Sequence, residues 1–226
     1  MRVAALYDVH GNRNALEAVL REVPEDATIV VGGDVAAGPF PEDAVDRLRA
    51  LGDRVLWIRG NADRELTAGE HGLAPPDTIR WIRDRISPQT IAWLHELPPT
   101  LACDVDGVGR VLFCHATPQN DVDIFTERTP EDRIAPQFSG LDADLVVCGH
   151  THTQFERRVA GVEVVNAGSV GMAYENEPGA YWTLLGPGVD FRRTPFELDT
   201  GEWPDEWPST SREEAVAFFE TRAVGA

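Results

Sequence analysis

Positive charge is scarce in this chain. Twenty Lys and Arg residues stand against 38 Asp and Glu, a formal net charge of −18 over 226 residues. A surface this acidic repels nucleic-acid duplexes and anionic membranes, so neither is an expected partner. It also repels a small phosphate compound, unless the binding site carries positive charge of its own. Cysteine is rare too. Cys103, Cys114 and Cys148 leave one thiol over in any disulfide scheme, and a reducing compartment, the cytoplasm, is the simpler expectation. No apolar run approaches the roughly 20 residues of a membrane span, and no charged-then-apolar leader precedes the first apolar run. Internal repeats and low-complexity tracts are absent. The remainder, 42% hydrophobic and 26% charged, has the composition of a folded protein, and residues 1–226 are expected to form a single domain.

The pattern that is present is rhythmic. Residues 3–7, 28–31 and 55–58 are short continuous apolar runs. Helical periodicity fills the intervals, with Leu16, Val19 and Leu20 in the first and Val45, Leu48 and Leu51 after Pro41 in the second. Such alternation predicts a parallel sheet covered on both faces. Functional groups of such sheets collect beyond the carboxyl ends of the strands, where Asp8, Asp34 and Asn61 stand. Residues 66–100 break the rhythm with Gly69, Gly72, Pro75 and Pro76, then two helices, one with Asp77 expected as N-cap and one opened by Ser87-Pro88. This α-helical insertion is read as covering one side of the crevice, as a lid or as a structural cap. From residue 101 the turns Asp106-Gly107, Ala160-Gly161 and Gly186-Pro187-Gly188 separate paired strand-like runs, so the second half is expected to be mainly antiparallel. Thr129-Pro130-Glu131-Asp132 opens a further helix. Residues 196–226 are an acidic appendage with Trp203 and Trp207, ending in a helix opened by the capping box Ser211-x-x-Glu214. Docking on the body is expected of it, with a homo-oligomer contact as the alternative.

The chemistry concentrates at Gly149-His150-Thr151-His152, which ends the apolar run 145–148. In an extended chain, imidazoles two positions apart point to opposite sides, so the pair suits two neighbouring ions better than one. Gly149 is expected to let the backbone leave the strand sharply. Asp8, His10, Asp34, Asn61 and His115 terminate other runs in the same way. Nitrogen and hard oxygen without cysteine suit borderline divalent ions: Mn, Fe, Co, Ni or Zn. Seven ligands exceed one tetrahedral site. With one shared carboxylate they divide into two sites of four, which fits a pair of ions about 4 Å apart that acidifies a bridging water and clamps an in-line displacement at phosphorus. Two divalent ions against two aspartates leave a local charge of about +2, enough to give a phosphate somewhere to bind.

In order, Asp8-x-His10, Gly33-Asp34-x4-Gly38, Gly60-Asn61-x-Asp63, His115 and Gly149-His150-x-His152 resemble the motifs of the calcineurin-like metallophosphoesterases. Residues 16–20, Gly38-Pro39 and residues 166–171 resemble the small prokaryotic, phosphodiesterase-type branch, and the likeness runs to about Arg193. The resemblance implies a four-layer α/β/β/α sandwich with two mixed β-sheets. It implies a dinuclear metal-dependent phosphoesterase, acting first on phosphodiesters through attack of a metal-bridging hydroxide. Asp8, His10, Asp34 and His152 would hold the first ion; Asp34 again, with Asn61, His115 and His150, would hold the second, manganese being the expected metal. Asp34, Asn61, Asp63 and His115 form the implied catalytic group, with Asn61 also touching the phosphoryl oxygen.

One position departs from the family. Many members carry histidine after the Gly-Asn, where it protonates or stabilises the leaving group; here Ala62 stands, with Asp63 kept. Alanine transfers no proton, a role worth about 10²–10⁴-fold in rate, so leaving groups that need little protonation are expected to be preferred. Arg13 and Arg64 are the candidate phosphate contacts, and His71 is read as a solvated loop residue or a substitute acid. Phosphomonoesters, phosphoproteins and dinucleoside polyphosphates stay open as substrates. Ala167-Gly168-Ser169-Val170-Gly171 approaches the nucleophile elbow of serine hydrolases, but alanine replaces the first glycine and no helical pattern follows. A protein-binding scaffold without activity is opposed by the complete ligand set.

Overall fold

The computed structural model describes residues 1–68, 76–197 and 217. In chain order its elements are β1 (Val3–Leu6), α1 (Arg13–Glu22), β2 (Thr28–Val31), α2 (Pro41–Arg49), β3 (Val55–Trp57), α3 (Asn61–Ala68), α4 (Pro76–Arg83) and α5 (Pro88–His95). There follow β4 (Thr100–Val105), β5 (Gly109–Cys114), α6 (Glu131–Phe138), β6 (Leu145–Cys148), β7 (Phe155–Val159), β8 (Val162–Asn166), β9 (Ala180–Leu185) and β10 (Val189–Thr194).

Among the described helices, α1 and α5 begin where a side chain accepts from a free N–H group, whereas α2 starts on a proline. Asn12 Oδ1 caps α1 by accepting from the Ala15 N–H at 3.1 Å, and Pro41, Glu42 and Asp43 fill the first turn of α2. That helix ends at Arg49, so Leu51 falls beyond it. Asp77 lies inside the first turn of α4 and is not its N-cap, because the helix already begins at Pro76, whose ring presets a helical φ.

The first sheet has the order β10-β9-β1-β2-β3 and the second β4-β5-β6-β8-β7. β1, β2 and β3 are parallel, as their continuous apolar runs predict. The second half is mainly antiparallel, as expected, in β4–β5, β7–β8 and β9–β10, with two features the turns did not announce. β6 pairs parallel with both β5 and β8, as befits a four-residue strand buried at every position. The hairpin β9–β10 returns to the first sheet, antiparallel to β1. Turn residues reveal hairpins, whereas the sheet a hairpin joins depends on packing between distant segments. Both sheets are therefore mixed.

Side-chain alternation sorts each strand between two apolar layers. Ala4, Leu6, Ile29 and Val31 face outward onto Leu16, Val19, Val45 and Leu48 of α1 and α2. Val3, Ala5, Tyr7 and Val30 face inward and meet Val111, Phe113, Leu145 and Val147 of the second sheet. Beyond that sheet, Val146, Cys148 and Val164 pack on Ile134 and Phe138 of α6. The result is an α/β/β/α sandwich, each buried large aliphatic side chain contributing about 1.5–3 kcal/mol. The Tyr7 hydroxyl ties the sheets by donating to the Val147 carbonyl at 2.9 Å.

The described part of the insertion is anchored. Ile79, Ile82, Ile86, Leu94 and Leu97 join the core of α1 and α2. Glu42 of α2 accepts from the Ser87 N–H at 2.8 Å, the Ser87 hydroxyl at 3.0 Å and the Thr90 hydroxyl at 2.7 Å. His71 and the glycines beside it lie outside the described residues, as do Trp203, Trp207 and the capping box at Ser211. Among the described residues no helix is long and apolar enough to cross a membrane, and Cys103, Cys114 and Cys148 are free thiols.

Candidate metal centre

All seven expected ligands lie just past the carboxyl ends of strands from both sheets: β1, β2 and β3 of the first, β5 and β6 of the second. The backbone there is unusual. Asp8, His10, Asp34, His150 and His152 have positive φ of 53°, 47°, 53°, 67° and 60°. Side chains adopt this left-handed region rarely, at a cost of about 1–3 kcal/mol each, and such residues cluster at functional sites. The turns project each side chain into the crevice. The reason expected for Gly149 is corrected accordingly: its φ is not left-handed, and the sharp turns belong to the histidines. Gly149 is required by close approach, since a Cβ there would stand 2.4 Å from Asp8 Oδ2 and 2.5 Å from the Tyr7 ring. Gly60 is required likewise, with Asp34 Oδ1 2.2 Å from its missing Cβ.

The side chains gather into two groups, Asp8 with His10 and His152, and Asp34 with His115 and His150, their donor atoms all within 4.8 Å of one another in each group. His150 and His152 thus serve different groups. Backbone carbonyls fix the imidazoles. His10 Nδ1 meets the Ala37 carbonyl at 2.9 Å, His115 Nδ1 that of Gly32 at 2.8 Å, and His152 Nδ1 that of Met172 at 2.8 Å. A carbonyl only accepts, so each Nδ1 carries a proton and each Nε2 is left facing the centre, where it serves as a ligand once it carries no proton. Two such nitrogens, on His10 and His152, face each other at 3.2 Å. Asp8 Oδ1 is buried with no hydrogen-bond partner, although His152 Nε2 lies 3.4 Å away and those of His10 and His115 3.8 and 3.9 Å away. His115 Nε2 stands 3.4 Å from Asp34 Oδ2 and 3.1 Å from Asn61 Oδ1. Converging lone pairs around an orphaned carboxylate oxygen fit divalent cations.

The charges within the groups are strongly coupled. Burial raises the Asp34 carboxyl, but the charge and hydrogen bond of His115 outweigh it and hold Asp34 well below the carboxylate range. Asp8 is lowered in the same sense, burial being overcome by His152 and then His115. Burial lowers His115, yet Asp34 pushes it up to about 10. His150 falls to about 4 through burial and the His115 charge, and His10 is lowered by burial and by His152.

Asp63, expected in the catalytic group, holds the backbone. Its buried carboxylate accepts from the N–H groups of Asp34 at 2.8 Å, Val35 at 3.1 Å and Gly60 at 3.1 Å. Burial and the Asp34 charge push it up to about 7 against the pull of those N–H groups. The expected phosphate contacts are engaged on carboxylates: Arg64 grips Asp121 at 2.8 and 3.0 Å, and Arg13 reaches Asp43 at 3.4 Å while covering the Phe40 ring. Ser169 is buried, donating to the Asp8 carbonyl at 2.8 Å and accepting from the Met172 N–H at 2.8 Å, which suits a turn beside the aspartate and not an exposed nucleophile. Two residues escaped the sequence reading. Glu65 accepts from Asn61 Nδ2 at 3.1 Å; a carboxylate four residues after an expected ligand, on one helix, was the available signal. Tyr174 stacks on His152 with centroids 4.6 Å apart, and no local pattern announces that contact.

Two mixed sheets packed face to face carry at their strand ends two His/Asp groups that could each hold a metal ion. The chain belongs to the calcineurin-like phosphoesterase superfamily, whose domain profile matches residues 1–185. It is 33% identical over 133 residues to the symmetrical bis(5'-nucleosyl)-tetraphosphatase of Yersinia pestis, covering 54% of this chain and 45% of that one. The chain thus spans a little under half the length of those tetraphosphatases. The crystal structure of a metallophosphoesterase from Sphaerobacter thermophilus is similar with a TM-score of 0.70 at 24% identity, covering 87% of this chain and 90% of its own. Protein PH1004 of Pyrococcus horikoshii OT3 gives a TM-score of 0.75 at 18% identity, covering 96% and 97%. Both structures share the fold.

Proposed function

We propose that the chain hydrolyses phosphate esters, phosphodiesters foremost, at a centre of two divalent transition-metal ions, with manganese the expected metal. One observation carries this: the His10 and His152 Nε2 atoms face each other at 3.2 Å with both Nδ1 atoms committed to carbonyls, beside the partnerless Asp8 Oδ1. Asp8, His10, Asp34 and His152 would hold one ion, and Asp34, Asn61, His115 and His150 the other. When bound, such ions supply Lewis acidity toward phosphoryl oxygens and acidify a water at neutral pH. The protein's part is to hold the ligands, through the carbonyls behind three imidazoles and the Asp63 clamp behind Asp34. Asn61 would also touch the phosphoryl oxygen. Ala62, buried with its N–H on Asp34 Oδ1 at 2.8 Å, has no proton to give, so the leaving group departs on its own acidity. Arg13 and Arg64 would have to leave Asp43 and Asp121 to meet a phosphate. The three free thiols support a reducing compartment, the cytoplasm, and the aromatic residues of the appendage 196–226 support a contact between copies.

A second reading, hydrolysis of dinucleoside tetraphosphates, is favoured by the tetraphosphatases at 33% identity. Metal analysis of purified protein, with hydrolysis of bis(p-nitrophenyl) phosphate and of a dinucleoside tetraphosphate under Mn, Ni and Zn, tests both. Two ions per chain and turnover that chelation removes are expected. Protein that binds no metal, or hydrolyses equally under chelation, overturns the proposal.

A further inference from the structure

We infer that Glu65 is a positioning residue that decides which end of the Asn61 side chain faces the second group of ligands, an inference that rests on the two-ion centre proposed above. An asparagine amide carries an oxygen and an NH2 of nearly equal shape, and only the oxygen can bind a cation. Asn61 is 4% exposed and Glu65 0% exposed, so water does not settle the choice for them. Glu65 Oε1 accepts a hydrogen bond from Asn61 Nδ2 at 3.1 Å, from one turn further along α3. A carboxylate oxygen accepts, and Glu65 Oε1 does so from the NH2 end of the amide. Asn61 Oδ1 is thereby turned toward His115, 3.1 Å from its Nε2. The imidazole is aimed in the same manner from behind, by the Gly32 carbonyl on Nδ1. With the amide reversed, its oxygen would oppose the carboxylate and its NH2 would stand among the metal ligands. Glu65 thus does for Asn61 what the carbonyls do for the histidines.

Loss of such an orienting partner commonly lowers metal affinity by about 10–100-fold. Calorimetric titration of the full chain with Mn²⁺ tests the role. Wild type is expected to bind two ions. Glu65→Met, close in volume, should bind one ion normally and the other about 10–100-fold more weakly, whereas Glu65→Gln, which keeps an accepting oxygen but can also turn its NH2 to Asn61, should lose less than Glu65→Met. An Asn61→Asp background, with an oxygen at both ends, should lose nothing further when Glu65→Met is added. Equal affinities in wild type and Glu65→Met overturn the inference. So does equal loss in Glu65→Gln, or loss of an ion on adding Glu65→Met to Asn61→Asp, since each would mean that Glu65 supports the fold and not the amide orientation. Should Glu65→Met alone fail to fold, the Asn61→Asp pair decides: retention supports the role and loss overturns it. Wild type that binds fewer than two ions overturns the two-ion reading itself, and this inference with it.

Discussion

Replacing Asp63 tests whether the crevice is held together by one carboxylate. Asp63 accepts three backbone N–H groups, two of them, Asp34 and Gly60, on Oδ2 and the third, Val35, on Oδ1. These join the loop after β2 to the start of α3, the two segments that carry Asp34 and Asn61. Hydrogen bonds to a charged group are worth about 1.5–3 kcal/mol each, so three amount to roughly 5–9 kcal/mol gross. Removing the carboxylate also lifts the penalty of burying a charge, several kcal/mol. The net loss expected for Asp63→Ala is about 2–4 kcal/mol, a large part of the 5–15 kcal/mol that holds a typical domain. Asp63→Asn should lose less, about 1–3 kcal/mol: its oxygen can keep the Asp34 and Gly60 N–H groups, but its NH2 then meets the Val35 N–H donor to donor. Urea unfolding of chelated protein measures both values. Mn²⁺ affinity should fall in parallel, because the Asp34 main chain is released. An Asp63→Ala protein within about 0.5 kcal/mol of wild type would refute this account.

Other consequences are equally open to measurement. With no proton donor at position 62, nitrophenyl diesters should turn over about 10² or more times faster than alkyl diesters, and comparable rates on the two would show that another group protonates the leaving oxygen. Chelation should abolish binding of inorganic phosphate as well as turnover, since the acidic surface offers phosphate no comparable charge; equilibrium dialysis with and without chelator decides. Burial raises the Glu42 carboxyl, but the Thr90 and Ser87 donors outweigh it and hold it below its ordinary 4.5. A folded value below the unfolded one stabilises above pH 4.5 and loses that contribution as the pH falls through the folded value. Glu42→Gln should therefore flatten the acid side of the melting profile, and an unchanged slope would count against the anchor. Tyr7→Phe leaves the buried Val147 carbonyl without its donor and should cost about 1–2 kcal/mol in unfolding while Mn²⁺ affinity stays unchanged; a change in affinity would show that the tie between the sheets also shapes the centre.

The repeated event of an apolar run ending in a polar ligand type was legible in one dimension. So was the parallel part of the first sheet, because a strand buried on both faces is a continuous apolar run. Hairpin turns were visible as well, at Asp106-Gly107 and Ala160-Gly161, each flanked by paired strands. The reason for Gly149 was misjudged because a glycine before a turn suggests backbone freedom, whereas the Asp8 carboxylate that crowds it comes from 141 positions earlier in the chain. Asp63 was named for its motif, and the three N–H groups that define its work became visible only when β2 and α3 met.

Residue types and their order pointed to the proposed ligand set, the charge it would need and the class of chemistry it suits, because metal affinity is a property of donor atoms. Tertiary structure alone decided which histidine shares a group with which aspartate, which end of the Asn61 amide faces His115, and which arginines are held elsewhere. Those choices depend on contacts between segments far apart in the chain, and no local pattern of side chains encodes them.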